Sequence, residues 1–523
     1  MARATGQKER ARSQNDREVE LAAPPDLEVP DLREVVGGTE WLPEQLLTDT
    51  YFDTGDLRLW QRRIILRHRA EETPPGAGGG AGLWTLELPA QATAGAHERQ
   101  ELRWVGNRSE IPVDALTAVR GQSRRQRVEM VTELVTIRRR LLLRKPGAEI
   151  WAEVDDDTTT VHHGPQDGLT FRQLKVELVG TSENGLDPVL AELRNAGARR
   201  QGEEKLGKIL GADPSEVADH ARIGKRAAIG TFVSATITSD LDRLLDQDVA
   251  LRLDALCPPV RYVHRARIAT RRLRADLKTF APLLDPLWVR HTRSELKSVG
   301  EALGRVRDVD VLTKRLGLTA ETGHAGKGML ELAKQLRDER DQAATALAEL
   351  MGSDQYVNLL DRLHAASERP PLLRAAGDIG GDHSGPHPAE ILPSLVGEQW
   401  RSLRRRVRKA GNDPSDDRLH RIRIAAKQLR YAAELSEPVV GKPARRTVRS
   451  AKALQDSLGD HHDLITTGAW LRATGEALKA DPAASFAAGL LSAGQQRDAA
   501  ERRGEWRAIW KRAKRKKNRR WMR

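Results

Sequence analysis

With 523 residues the chain is too long for one ordinary core, and two domains of about 200 to 290 residues are expected. The net charge is +13, but Lys511, Arg512, Lys514, Arg515, Lys516, Lys517, Arg519, Arg520 and Arg523 supply nine of it, which leaves +4 for the rest and excludes a uniformly basic protein. The lone Cys257 excludes an internal disulfide and a Cys-rich zinc site and reads as a small apolar residue in a reducing cytoplasm. No apolar run is long enough for a membrane span or a signal peptide, so a cytoplasmic location without membrane contact is expected. Ala and Arg richness with few aromatics points to a bacterial source.

Residues 1–15 are polar and aperiodic, and are expected to be disordered. From Arg17 the pattern becomes that of short strands. REVELAA puts Glu18 and Glu20 on one strand face. In TDTYFDTGDLRLWQRRIILRHRA a turn at Asp53-Thr54-Gly55-Asp56 precedes a strand with Arg67 and Arg69 on one face. The run PPGAGGGAG from Pro74 reads as a loop. Further strands are expected in LWTLELPA, ERQELRW, VTIRRRLLLR, EIWAEVDD and TFRQLKVELVG, with helical pieces near Pro112 to Arg120 and Leu186 to Ala196. Acidic and basic side chains alternate along these strands, which fits a wet barrel interior better than a sandwich core.

An early E-x-E, then Y-F-D-T-x-D-L-R-L, L-R-x-R, W-T-L-x-L-P and a late V-E-L strand make residues 16–211 resemble the CYTH family of triphosphate tunnel enzymes. The resemblance implies an eight-stranded antiparallel barrel that binds triphosphate through Arg and Lys, and Mg²⁺ or Mn²⁺ through carboxylates. Carried over position by position, Glu18, Glu20, Arg67, Arg69 and Lys205 would form the catalytic site. Glu18, Glu20, Glu177, Glu153 and Asp155 would hold metal, and Arg138 and Arg140 would line the same tunnel. Three positions depart from the family pattern. Ala22 and Glu87 stand where lysines are usual, and Lys175 stands where a carboxylate is usual. Loss of an amine weakens the phosphate clamp, a carboxylate at position 87 repels phosphate, and a cation at position 175 opposes a divalent metal. Glu87 and Lys175 exchange the family's signs, and a pair between them across the barrel is one expectation.

After a linker at 212–224, helical periodicity takes over, with helices expected near 226–251, 260–280, 287–316 and 327–364. A Gly/Pro-rich connection with His383 and His387 follows, read as a solvated loop without metal. Helices then repeat near 388–410, 417–435, 443–474 and 485–514. HRARIATRRLRADLKTF from His264 returns as HRIRIAAKQLRYAAEL from His420. On a helix, His264, Arg267, Arg271 and Arg274 fall within an arc of roughly 80°, as do His420, Arg423, Lys427 and Arg430, with apolar residues opposite. A second repeated stretch places Lys297 seven residues before Gly304 and Lys452 seven before Gly459. The repeated unit is therefore a helix pair. Two such basic helices facing one another would repel unless a polyanion lay between them.

H-x-x-R-x-x-x-[RK]-x-L-R, a following Lys and L-G-x-x-[RH]-D, each present twice, make residues 225–510 resemble the CHAD family of conserved-histidine α-helical domains, with halves at 225–369 and 388–510. The resemblance implies an all-α, pseudo-two-fold bundle that binds inorganic polyphosphate. Arg267, Arg271, Arg274, Lys297, Arg307, Arg423, Lys427, Arg430 and Lys452 would contact phosphates, and His264 and His420 would donate hydrogen bonds. The acids of Arg307-Asp308-Val309-Asp310 and His461-His462-Asp463 read as ion-pair partners that orient arginines. The tail at 511–523 reads as disordered and as a non-specific polyanion hook.

The fold expected is therefore α+β and multidomain, an eight-stranded antiparallel tunnel barrel followed by an all-α bundle. The function expected is polyphosphate binding beside a weak or inactive tunnel. The rivals are a Mg²⁺-dependent triphosphatase and, favoured by the tail alone, a nucleic-acid binder.

Overall fold

The computed structural model of the chain describes residues 18–71, 82–89, 100–145, 150–179, 186–200, 205–212, 227–255, 258–317, 326–373 and 386–522. The expectations for residues 1–15, the glycine-rich run, most of the linker, Cys257 and His383 concern residues outside these. Two compact units are formed, Met1–Asp219 and His220–Arg523.

The first unit is one antiparallel sheet. Its eight longer strands are β1 (Glu18–Ala23), β3 (Gln45–Asp53), β4 (Ile65–Glu71), β5 (Gly82–Leu88), β6 (Gln100–Gly106), β7 (Glu129–Arg144), β8 (Ile150–His162) and β9 (Thr170–Leu178). Two short ones are added to the eight expected: β2 (Gly38–Trp41) pairs with β7, and β10 (Arg199–Arg200) pairs with β1. The order is β10-β1-β9-β8-β7-β3-β4-β5-β6.

Alternation along the strands divides the residues between the two faces. Leu21, Leu141, Leu143, Val154, Leu174 and Val176 form a buried apolar cluster with Val189, Leu190 and Leu193 of helix α3 (Asp187–Asn195). Their sequence neighbours Glu20, Arg140, Asp155 and Lys175 therefore share the other face. A one-residue slip of register would bury these charges and expose the leucines, so the apolar cluster fixes where the charged residues point. Helices α1 (Arg33–Val36), α2 (Val113–Ser123) and α4 (Lys205–Leu210) complete the unit.

The second unit is all helical. The first half holds α5 (Ile229–Leu253), α6 (Val260–Thr279), α7 (Pro286–Leu316), α8 (Lys327–Gly352) and α9 (Asp354–Glu368). The second holds α10 (Pro388–Ala410), α11 (Asp416–Val440), α12 (Lys442–Ala477), α13 (Pro482–Arg502) and α14 (Trp506–Ala513). Leu273, Leu277 and Phe280 of α6 sit in the first core, and Ile422, Ala426 and Leu429 of α11 sit in the second. These are the apolar arcs opposite the basic ones.

Two expected helices are broken in the fold. The stretch 327–364 divides at Ser353, whose hydroxyl accepts from the Tyr356 amide and caps α9. The stretch 485–514 divides around Gly504, between α13 and α14.

The basic tail is folded. Trp506 and Met522 are buried in the second core, with Ile509, Trp510 and Trp521 packed against it. Trp510 stacks on Trp400 of α10 with ring centroids 5.3 Å apart. Trp521 donates its indole N–H to Thr447 Oγ1 at 3.0 Å, and the Thr447 hydroxyl donates to the Asn518 carbonyl at 2.5 Å. The apolar residues are few, but they fall where α10 and α12 leave a groove, and their burial outweighs the charge around them.

Candidate functional site

In the helical unit, α6 packs against α11, and the Gln428 amide of α11 donates to the Ala275 carbonyl of α6 at 2.8 Å. This contact draws together the basic arcs of the two repeats. Burial pushes the Lys427 ammonium down to about 7, helped by the nearby cations Arg271, Arg423, Arg267 and Arg274. Arg271 is lowered by burial and then by Arg267, Arg423 and Arg430, with Tyr431 opposing. Six cations from two helices thus share one cleft.

Four of their donors are unspent. The Nε atoms of Arg271, Arg274, Arg423 and Arg430 are buried and have no hydrogen-bond partner among the described residues. Each such group costs about 1–3 kcal/mol unless an acceptor arrives. Among the described residues, the ion pairs of these six cations lie at the margins of the cleft. Arg267 Nη1 lies 2.8 Å from Asp308, and Arg430 Nη1 lies 3.5 Å from Glu434.

Gly304 and Gly459 are part of the same construction. A Cβ on Gly304 would lie 3.6 Å from Arg267 Nη2, and one on Gly459 would lie 3.5 Å from Arg423 Nε. In each half the guanidinium passes directly over a glycine of the paired helix, so the repeated L-G is a seat for the repeated Arg.

His264 stands at one end of the arc with part of its ring open to water, and desolvation of the remainder, then Arg307, Arg271 and Arg267, holds it below the ordinary histidine range. His420 is lowered by burial and then by Arg423 and Lys427. Its ring lies 4.1 Å from that of His462, and its Nδ1 is buried without a partner among the described residues. His462 occupies the place in the second repeat that Arg307 holds in the first. Burial and the adjacent His420 push it down to about 4.

Lys297 and Lys452 lie at the margin, exposed and paired one helical turn away with Glu301 at 3.4 Å and Asp456 at 2.6 Å. Arg293, Lys278 and Arg406 went unnoticed in the sequence. Arg293 Nε donates to the Arg274 carbonyl at 3.3 Å, and Lys278 is lowered by burial and then by Arg293 and Arg406. A line of cations therefore leaves the cleft past Arg274, whereas at the matching position of the other repeat Glu434 faces Arg430.

In the tunnel unit the expected cations are already paired. Arg69 binds Asp49 through two hydrogen bonds of 2.8 and 2.7 Å, and Arg67 lies 3.7 Å from the same carboxylate. Arg138 binds Asp157 twice at 2.8 Å and reaches Asp155 at 2.9 Å. Arg140 holds Asp155 at 2.6 Å and Glu153 at 3.2 Å. Asp49 and Asp157, which neutralise this site, were not singled out in the sequence. Tyr51 lies among these groups, and burial, then Asp49, pushes its hydroxyl up to about 12.

Lys175 Nζ lies 3.1 Å from Glu18 and 3.1 Å from Glu177. The expected pair with Glu87 is not among the described contacts; Glu87 Oε1 lies 4.0 Å from Arg67 Nη2. Glu20 and Ala22 are exposed, and of Lys205, which opens α4, only the backbone is described. Glu18 and Glu177 meet on the Lys175 ammonium, and Glu153 and Asp155 meet on Arg140, so with Glu20 they do not form one open donor set. Among the described residues no group of three or more His, Cys, Asp or Glu side chains is arranged to hold a metal ion. With a lysine and arginines already on these carboxylates, the described residues do not fit a divalent cation.

Comparison with known proteins agrees with both units. The CYTH domain model matches residues 16–201, and the CHAD domain model matches residues 235–472. The chain carries a CYTH domain followed by a CHAD domain. It is 29% identical over 491 residues to the uncharacterized protein Rv2226 of Mycobacterium tuberculosis, with 88% of each chain covered. Similar solved structures include PptA from Streptomyces chartreusis, 24% identical, covering 55% of this chain and 99% of that one with a TM-score of 0.43. Another is the CHAD domain from Ricinus communis, 25% identical, covering 55% and 92% with a TM-score of 0.44. The CYTH domain is similar to HpAC1 from Hippeastrum, for which a dominant triphosphatase activity is described, at 16% identity, 37% and 93% coverage and a TM-score of 0.24. Among the described residues no helix is long and apolar enough to cross a membrane.

Proposed function

We propose that the protein binds inorganic polyphosphate in the cleft of its CHAD domain, and that its CYTH tunnel is a weak or inactive phosphohydrolase. What carries the reading is the set of buried, partnerless Nε donors on Arg271, Arg274, Arg423 and Arg430. A linear chain of phosphates presents repeated acceptors and charge to both basic helices at once, which a single small anion does not. Arg267, Arg271, Arg274, Arg423, Lys427 and Arg430 contact phosphate oxygens. Arg307, His264 and His420 border them, and Lys297 and Lys452 extend the surface at its edge.

The test is polyphosphate binding by the full chain with Arg271→Glu/Lys427→Glu. Each reversal removes a charge-assisted contact worth about 1.5–3 kcal/mol and adds repulsion, so a loss of at least about 100-fold is expected with the helical fold retained. Retained affinity in a folded double variant would refute the cleft.

The enzymatic rival rests on the retention of Arg67, Arg69, Arg138 and Arg140 on one sheet face. Their bonds to Asp49, Asp155 and Asp157 weigh against it, because the arginines would have to leave carboxylates to hold a triphosphate. Robust phosphate release from tripolyphosphate with Mg²⁺ or Mn²⁺ would put the rival first.

A further inference from the structure

The arrangement of charge around Lys175 is that of a cation site already filled. Strand β9 lies between β1 and β8, and its register places Lys175 opposite Glu20 on one side and Asp155 on the other. One step along the same face, Glu177 stands opposite Glu18 and Glu153. The ammonium therefore sits in a patch of carboxylates from three strands, and it is equidistant, at 3.1 Å, from Glu18 and Glu177. Its neighbours of like sign have their own partners, as Arg140 holds Asp155 and Glu153.

We infer that Lys175 is a tethered cation that takes the place of a divalent metal in this tunnel, holding Glu18 and Glu177 together so that the domain keeps its charge balance without a metal. The effective concentration of a lysine fixed to the strand is high, and a divalent ion would have to displace it while shedding water from its own shell. The inference deepens the reading of the tunnel as a poor hydrolase, and it stands or falls independently of the CHAD cleft.

The experiment is Mn²⁺ binding to the full chain, read by the electron paramagnetic resonance of free Mn²⁺. Wild type is expected to show no saturable site that Glu18→Gln/Glu177→Gln removes. Lys175→Ala is expected to gain one such site, at least about tenfold tighter than any wild-type binding there. Lys175→Met, closer to lysine in volume, guards against a variant that fails to fold. Both variants are expected to melt at a lower temperature than wild type and to recover on addition of Mn²⁺, because the metal replaces the missing charge. A wild-type Mn²⁺ site lost in Glu18→Gln/Glu177→Gln would overturn the inference, as would a folded Lys175→Ala or Lys175→Met with no gain. A tunnel that bound metal yet released no phosphate would defeat the tethered-cation inference and leave the weak-hydrolase reading standing.

Discussion

Lys427 concentrates the chemistry of the cleft in one side chain. Its ordinary value is 10.5, and in the folded protein it falls to about 7, through burial first and then Arg271, Arg423, Arg267 and Arg274. Between those two values the unfolded chain holds the proton more tightly than the folded one. Without ligand, this residue therefore destabilises the fold fully below about pH 7, and the penalty is relieved as pH rises toward 10.5. A bound polyanion reverses the local potential and makes protonation favourable. Binding then takes up a proton above about pH 7, so the contribution of Lys427 to polyphosphate affinity should be level below that pH and fall by up to about tenfold per unit above it. Lys427→Arg should flatten that decline. His264 and His420, held low by burial and the neighbouring cations, leave a separate dependence on the acid side in the same variant. Titrations of labelled polyphosphate between about pH 6 and pH 9 would test this, and a level wild-type profile would remove Lys427 from the binding set.

At the scale of elements, the C-terminal helix and tail belong to the CHAD core. Trp506 is 3% exposed, and α14 with the turn after it covers α10 and α12. Trp506→Ala should cost about 3–5 kcal/mol, the usual range for emptying a buried aromatic site, and should lower the melting temperature of the helical unit. A melting curve unchanged from wild type would show the tail to be dispensable. The same segment marks where reading the sequence fails. Its cations dominate composition, whereas Trp506, Ile509, Trp510, Trp521 and Met522 matter only because a groove exists for them, and that groove is made by helices far away in the chain. The arcs of His264 and His420 were legible because helical spacing alone puts their cations on one face, and a repeated pattern is hard to produce otherwise. Gly304 and Gly459 were visible as repeats, but their purpose as seats for Arg267 and Arg423 needed the pairing of helices. Asp49 and Asp157 were missed because their roles depend on strand register, which alternation does not give. Lys278, Arg293 and Arg406 come from three helices with no periodic relation, so only packing brings them together.

For the whole molecule the open choice is whether polyphosphate is held by a built cleft or by the sum of scattered positive charge, since nine of the thirteen net charges lie in the last residues. The two cases predict different responses to salt. Six cations converge in the cleft, and for a single-stranded polyanion each neutralised phosphate contributes about 0.7 to the slope of log affinity against log salt, so a slope near −4 is expected. The tail cations Lys516 and Lys517 are exposed on a folded surface and make no contribution if the ligand lies between α6 and α11. Lys516→Gln/Lys517→Gln should therefore leave both affinity and slope close to wild type, whereas Arg271→Gln/Lys427→Gln should flatten the slope by about 1.4 and weaken binding at every salt concentration. Lys175→Ala in the CYTH tunnel should change neither quantity, because the cations it leaves behind are held by Asp49, Asp155 and Asp157. If the tail variant flattened the slope and the cleft variant did not, the polyanion would be bound by the surface of the C-terminal segment, and the paired basic helices would need another ligand.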